Sequence, residues 1–166
     1  MTTISARAHA QKSWVTYKND RFGATIEYPS DLFHLKKKPT DTDARQFVAR
    51  DGAEFTCSGL RIAAEQSLAE IETTALATLD QGTTLMMRDR GPSWFLMWGA
   101  QRSRLFFQHS ILSHNNEILS TFLMSYPAKR RTTYDTIVIQ MSQSFRPGAG
   151  TDSGPLPPPP AEAKAL

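Results

Sequence analysis

The chain is poor in the features that catalysis, metal binding or membrane insertion require. Cys57 is its one cysteine, so no disulfide can close within the 166 residues. That count suits an exported protein and a cytosolic one equally. No stretch approaches the ~20 consecutive apolar residues of a membrane-spanning helix. The formal charge is only +3, and the basic residues are scattered apart from Lys36-Lys37-Lys38 and Lys129-Arg130-Arg131. A nucleic-acid binder shows a denser stripe with aromatics interleaved, so these clusters read as solvated charge on a loop and a helix end, and no nucleic-acid partner is expected. Gly23 and Gly91 stand alone, without a glycine-rich loop opening a helix, so the sequence does not support a nucleotide cradle. Ser58-Gly59 lies in Phe-Thr-Cys-Ser-Gly-Leu, which is not the Gly-x-Ser-x-Gly elbow of a serine nucleophile.

The periodicity describes one folded region with two plain ends. Residues 147–166 read PGAGTDSGPLPPPPAEAKAL and hold almost no large apolar side chains, so burial cannot repay the entropy of ordering them. The run Pro155-Leu156-Pro157-Pro158-Pro159-Pro160 favours polyproline II, as a solvated spacer or a ligand for an aromatic groove. Residues 1–13 form a lead in which Ala6-Arg7-Ala8 and Ala8-His9-Ala10 fit the small-x-small pattern of a signal-peptidase site. No apolar segment precedes them, so they are either the end of a cleaved leader or a chance match. The domain is expected at 14–146, and ~130 residues bury enough surface to fold without disulfides or metal.

Inside that region, Trp14 to Lys18 reads as a strand, Asn19-Asp20 as a turn, and Arg21 to Tyr28 as a second strand. Phe22, Ala24, Ile26 and Tyr28 share one face, and Pro29 ends the ladder. Residues 30–44 read as a polar connection. Gln46 to Arg50 and Ala53 to Ser58 flank Asp51-Gly52, a two-residue type I′ hairpin signal. Ser67 to Leu79 predicts a helix, with Ser67 and Glu70 as a capping box and Leu68, Ile71, Ala75, Leu76 and Leu79 as its apolar stripe. Thr83–Arg88, Ser93–Ala100, Arg104–Leu112 and Glu117–Tyr126 follow with short turns, which predicts an antiparallel meander. Ser93-Trp94-Phe95-Leu96-Met97-Trp98 lacks alternation, so these strands should be covered on both faces. Tyr134, Ile137, Val138, Met141 and Phe145 form the stripe of a second helix, which Pro127 introduces. The pattern predicts an α+β fold, an antiparallel sheet of about six to eight strands with helices on both faces.

No residue is nominated as catalytic, cofactor-binding or metal-ligating, and no cofactor is expected. Of His9, His34, His109 and His114, the last two lie five residues apart. An odd spacing puts strand side chains on opposite faces, a poor chelate even with Glu117 across the turn. Cys57 has no histidine partner in the sequence and reads as a small buried hydrophobe. Asp31, Asp41, Asp43 and Asp51 fall in loops, where carboxylates are ordinarily solvated. Trp94, Phe95, Met97, Trp98, Phe106 and Phe107 read as core, with a groove beside a helix as the other use of part of the group.

Trp14-x-x-Tyr17-x-Asn19-x-Arg21-Phe22-Gly23, then Tyr28-Pro29-x-Asp31-Leu32-Phe33, resembles the opening of PsbP-like proteins. Asp51-Gly52, the single mid-chain helix, Trp94, and Tyr126-Pro127 through Tyr134-Asp135 to Ser144-Phe145 extend the likeness over nearly the whole core. It is nearest to a bacterial branch of exported proteins without assigned function. The resemblance implies an α/β/α sandwich. Its members serve as assembly or scaffold factors, bind small GTPases in nuclear import, or chaperone secreted effectors, and none of these roles transfers residue by residue. The photosynthetic role is not expected, because the chain lacks the metal-binding arrangement that role would want. The expectation is therefore a periplasmic or secreted, non-catalytic binding or assembly module with a protein partner. Two other readings stand: a small-ligand carrier or weak hydrolase with a pocket between sheet and helix, and a chaperone-like domain sheltering apolar segments.

Overall fold

The protein is seen here as a computed structural model that describes residues 13–36, 43–63 and 65–148. The chain runs β1 (Trp14–Lys18), β2 (Thr25–Pro29), β3 (Phe33–Leu35), β4 (Arg45–Ala49), β5 (Glu54–Arg61), α1 (Leu68–Ala77), β6 (Thr84–Arg90), β7 (Trp94–Gln101), β8 (Arg104–Ser113), β9 (Ile118–Pro127), a 3-10 turn (Ala128–Arg130) and α2 (Arg131–Ser144). Seven strands form one antiparallel sheet in the order β3-β4-β5-β9-β8-β7-β6, and β1 pairs only with β2. The helices lie on opposite faces, as the two apolar stripes require.

The register assigns the faces. Phe55, Cys57, Phe122, Met124, Tyr126, Leu105 and Phe107 point to one side, because Cys57 stands opposite Phe122 and Phe107 opposite Met124. The stripe of α2, Tyr134, Ile137, Val138 and Met141, closes this face with Phe145 just beyond the helix, and all five are buried. The β1–β2 hairpin completes the same layer. Ile26 and Ala24 are fully buried, and Tyr17 and Tyr28 pack on Phe47 at ring distances of 5.2 and 4.8 Å. Phe47 in turn stacks on Phe55 at 4.5 Å. Such ring pairs add about 0.5–1.5 kcal/mol each beyond the area they bury.

The other face is covered over only part of its width. Phe95, Met97, Phe106 and Leu112 form a second core with Ile71 of α1, and Leu68, Ala75, Leu76 and Leu79 pack against it. The capping box of Ser67 and Glu70 starts α1 as the sequence predicts. Glu72 is buried and accepts hydrogen bonds from Arg88 at 2.6 Å and Arg90 at 3.4 Å, which tie the helix to the outer strand β6. On β4, β5 and β9 the same face presents Gln46, Glu54, Thr56, Ser58, Thr121 and Ser125, none of them fully buried, with Leu60 and Leu123 exposed among them.

Four local expectations need correction. The second strand starts at Thr25 rather than Arg21. Residues 20–23 instead form a loop closed by Asn19, whose buried side chain accepts from the amides of Arg21 and Phe22 at 3.2 and 2.8 Å. The 30–44 connection contains the short edge strand β3, paired through Phe33 opposite Ala49. Residues 37–42 of that connection, with Asp41, lie outside the described residues, as do His9, the signal-peptidase pattern and the proline run. The Asp51-Gly52 turn is not type I′, since only Gly52 takes a positive φ, +87°. Gly52 N–H donates to Ala49 C=O at 3.1 Å and Ala49 N–H to Ala53 C=O at 2.8 Å. That is a three-residue hairpin loop with the glycine as its bulge, and Asp51 keeps an ordinary backbone. The outer strand β6 also runs on to Arg90, through the segment read as a turn at Asp89-Arg90.

Candidate functional site

A groove of about 830 Å³ opens at the β3 edge of the sheet. Ser30 to His34 form one wall, from the end of the β1–β2 hairpin into β3. Ala49, Arg50 and Asp51, at the β4–β5 turn, form the floor, and Arg130 and Tyr134, at the start of α2, form the other wall. Asp51 holds these parts together. Its Oδ1 accepts from the Tyr134 hydroxyl at 2.8 Å and from the Ala53 amide at 3.3 Å, and its Oδ2 accepts from Arg130 Nε at 3.0 Å. Burial alone would raise the Asp51 carboxyl. The three hydrogen bonds and the Arg130 charge outweigh it and hold the group below its ordinary value. The Tyr134 phenol moves up, through burial and its bond to Asp51. Next to this pair, the Tyr126 hydroxyl donates to Asp135 at 2.8 Å and Arg131 Nε donates to the same carboxylate at 2.9 Å. The first turn of α2 is thus anchored twice.

The outer side of the groove carries exposed polar side chains. Asp31, His34 and Arg50 are exposed, and none of their side chains has a hydrogen bond or ion pair among the described residues. Beside them, β3 is the terminal strand, so its outer backbone groups have no ladder partner within the sheet. The arrangement offers charges of both signs and a terminal strand edge. Ser30, Asp31 and His34 all line it, but the Ser30 hydroxyl donates to Ser13 C=O at 3.0 Å and no hydrogen bond links the three among the described residues.

A second, smaller cleft of about 350 Å³ lies between β7–β8 and the end of α2. Trp94, Leu96, Ile111 and Phe145 supply its apolar walls, and His109, Ser142 and Arg146 its polar groups. His109 Nδ1 lies 3.0 Å from Ser142 Oγ, and the imidazole is edge-on to Trp94 and Phe145. Burial pushes the imidazole below its ordinary value, hydrogen bonding to Ser142 opposes that, and the charge of Arg146 adds to the lowering.

His109 faces α2, while His114 sits in the β8–β9 turn at a φ of +52° and contacts Ser113, so the two do not converge. Among the described residues, no three His, Cys, Asp or Glu side chains gather in a metal-holding group. Cys57 is fully buried and burial pushes its thiol up to about 12, so it is a core side chain. Ser58 is half-buried on the open face. Asp43 is paired with Arg21 at 2.7 Å. Phe95, Met97, Phe106 and Phe107 are core, while Trp94 and Trp98 are half-buried, Trp94 as a wall of the cleft. Sequence reasoning missed Arg50, Arg130 and Tyr134 as one site, and Ser142 and Arg146 as partners of His109. Asp51 and Tyr134 are 83 positions apart, and nothing in either local pattern points to the other.

This architecture is the PsbP-like fold. The structure is similar to the solution structure of cyanobacterial PsbP from Synechocystis sp. PCC 6803, with a TM-score of 0.60 and 14% identity over 86% of this chain and 97% of that one. It is similar as well to the crystal structure of the Ran-binding protein Mog1p of Saccharomyces cerevisiae, with a TM-score of 0.57 and 10% identity over 82% and 96% of the two chains. A mutant of Mog1 aligns with a TM-score of 0.55 at the same identity. No protein-family model matches the sequence, and no curated protein matches it. At these identities the likeness is one of fold. No helix among the described residues is long and apolar enough to cross a membrane.

Proposed function

We propose that the protein is a non-catalytic binding or assembly module that docks a protein partner in the groove beside β3. The observation that carries this reading is the pairing of a rigid wall with an open side. The Asp51–Tyr134–Arg130 cluster holds the groove's shape, while Asp31, His34 and Arg50 stand exposed along it. Preformed geometry lowers the ordering cost of association. Exposed charges of both signs suit a partner segment that carries both, laid along the β3 edge. The Ran-binding name of Mog1p supports a protein-docking use of the same fold. We further propose that the protein is exported, a reading that rests on Ala6-Arg7-Ala8 and Ala8-His9-Ala10. Mass spectrometry of the native protein tests it: a mature N-terminus after Ala8 or Ala10 supports export, and a chain retaining Met1 or Thr2 in the cytoplasm contradicts it.

The chaperone reading asks for a broad exposed apolar face. On the open face Leu123 stands opposite Thr56, four residues along β5 from Leu60. At about 3.3 Å per residue the two leucines are roughly 13 Å apart, with Ser58 and Thr121 between them. Leu85, Met86 and Met87 are exposed in succession on β6 but occupy a bulged, charged edge that is built to refuse pairing. The hydrolase reading would make Ser142 and His109 a nucleophile and base. Among the described residues no carboxylate bonds His109 to orient it, as that chemistry requires.

Affinity capture from native extract is the test. The wild-type chain recovers one dominant protein, and Arg50→Glu loses it with an unchanged melting temperature, because Arg50 is exposed and unpaired among the described residues. Equal recovery by both, or no recovery together with a measurable turnover, contradicts the proposal.

A further inference from the structure

The small cleft between β7–β8 and α2 is separate from the groove beside β3, and docking at β3 gives it no role. Its composition is that of a ligand site: apolar walls with a few convergent polar groups, at the small end of the ~300–1,000 Å³ range typical of such sites. We infer that it binds a small monocarboxylate with an apolar tail, the tail lying against Trp94, Leu96 and Ile111 and the carboxylate meeting Arg146 at the mouth.

Arg146 carries the argument. Its backbone is clamped to β2, donating to Thr25 C=O at 2.9 Å and accepting from Thr25 N–H at 3.0 Å, so its Cα cannot swing away. Its Nη1 donates to the carbonyls of Gln143 and Phe145 at 2.7 and 2.8 Å, which orients the guanidinium at the end of α2. A guanidinium has five N–H donors. Those on Nε and Nη2 have no partner among the described residues, and no carboxylate pairs with Arg146 there. An oriented, unpaired cation at the rim of an apolar cleft is half of a charge-assisted pair, and a carboxylate supplies the missing half.

His109 reports on the occupant. The elements packed around it contribute Trp94 and Leu96 of β7, Phe122 of β9, and Ser142 with Phe145 at the end of α2, all uncharged, and Arg146 is the charged group facing it. A carboxylate entering the cleft offsets Arg146 and favours the charged imidazole, so the histidine titrates at higher pH when the site is filled. A neutral ligand of the same shape leaves that titration where it was or lowers it further.

The probe is octanoate, with octanol as its neutral counterpart, followed by NMR on the full chain. Octanoate is expected to give saturable shifts of the Trp94 indole N–H and of the amides of Ser142 and Phe145, and to raise the titration midpoint of His109. Octanol is expected to bind more weakly and not to raise it. Arg146→Gln should weaken octanoate by about tenfold to a hundredfold, the worth of a hydrogen bond to a charged group. It should leave octanol binding unchanged, and the dispersion of the spectrum shows whether the variant has folded. Arg146→Lys keeps the charge and should recover part of the affinity. Absence of saturable shifts at millimolar octanoate, or equal binding of octanoate and octanol in wild type and variant, overturns the inference. Either result leaves the groove beside β3 untouched, because none of these residues lines it.

Discussion

Asp51 and His109 show how far a residue's role here depends on distant parts of the chain. Each looks unremarkable in its local sequence, a turn acid and a strand histidine. Asp51 becomes an anchor because Tyr134 and Arg130 reach it from α2. His109 becomes a half-buried, depressed imidazole because Ser142 and Phe145 pack against it. The histidine gives the protein a pH signature. Its folded midpoint lies below its ordinary value, so the unfolded chain takes up the proton first as pH falls. The stability tied to a neutral His109 is complete above the ordinary histidine range, near pH 6.5, and is lost as pH falls through the lower folded midpoint. Thermal melts between about pH 7 and 5 should show the melting temperature falling, and His109→Gln should flatten that slope. An unchanged slope in the variant would assign the loss to other groups. Asp51 acts in a lower window: its depressed carboxyl contributes above the ordinary carboxylate range, and that contribution goes as acid protonates the folded form.

Among the elements, α1 is the most dependent on its ends. It has ten residues, and Ile71 and Glu72 are its buried ones. An isolated helix of that length is marginal in water, so its cap and its contacts decide whether it forms. Ser67→Ala removes the side chain that accepts from Glu70 N–H and should cost about 1 kcal/mol in a denaturant melt. A cost near zero would mean that Glu72 and its arginines alone hold the helix. The cap, the stripe of α1 and the stripe of α2 were legible because their period is local and long enough to count. The meander was legible for the same reason, through its short turns. Phe33-His34-Leu35 was not, since three residues show no period and their pairing with Phe47 to Ala49 is a tertiary fact. Separation of β1–β2 into its own sheet was equally hidden, because alternation at Phe22, Ala24 and Ile26 reports a buried face and not which layer buries it. The groove beside β3 was hidden because residues 30–34, 49–51 and 130–134 meet only in the fold, whereas a groove beside a helix was already one use of the Trp94 group, and only its polar partners Ser142 and Arg146 were not foreseen.

At the scale of the whole molecule, the two faces of the sheet are unequal. One is sealed by α2 and the β1–β2 hairpin, and the other is covered by α1 only over its β7–β8 part. The groove lies at the end where the hairpin, β3, the β4–β5 turn and α2 meet, so four elements set its shape, and the aromatic core from Phe33 through Phe55 to Phe122 backs it. A site built on such elements needs little rearrangement to receive a partner. Hydrogen exchange of the chain, free and bound to the protein it captures, tests this most directly. Docking in the groove predicts new protection at Ser30–His34 and Ala49–Asp51, with β6 exchanging as before. Protection confined to β6 or to the open face of β5 and β9 would contradict it.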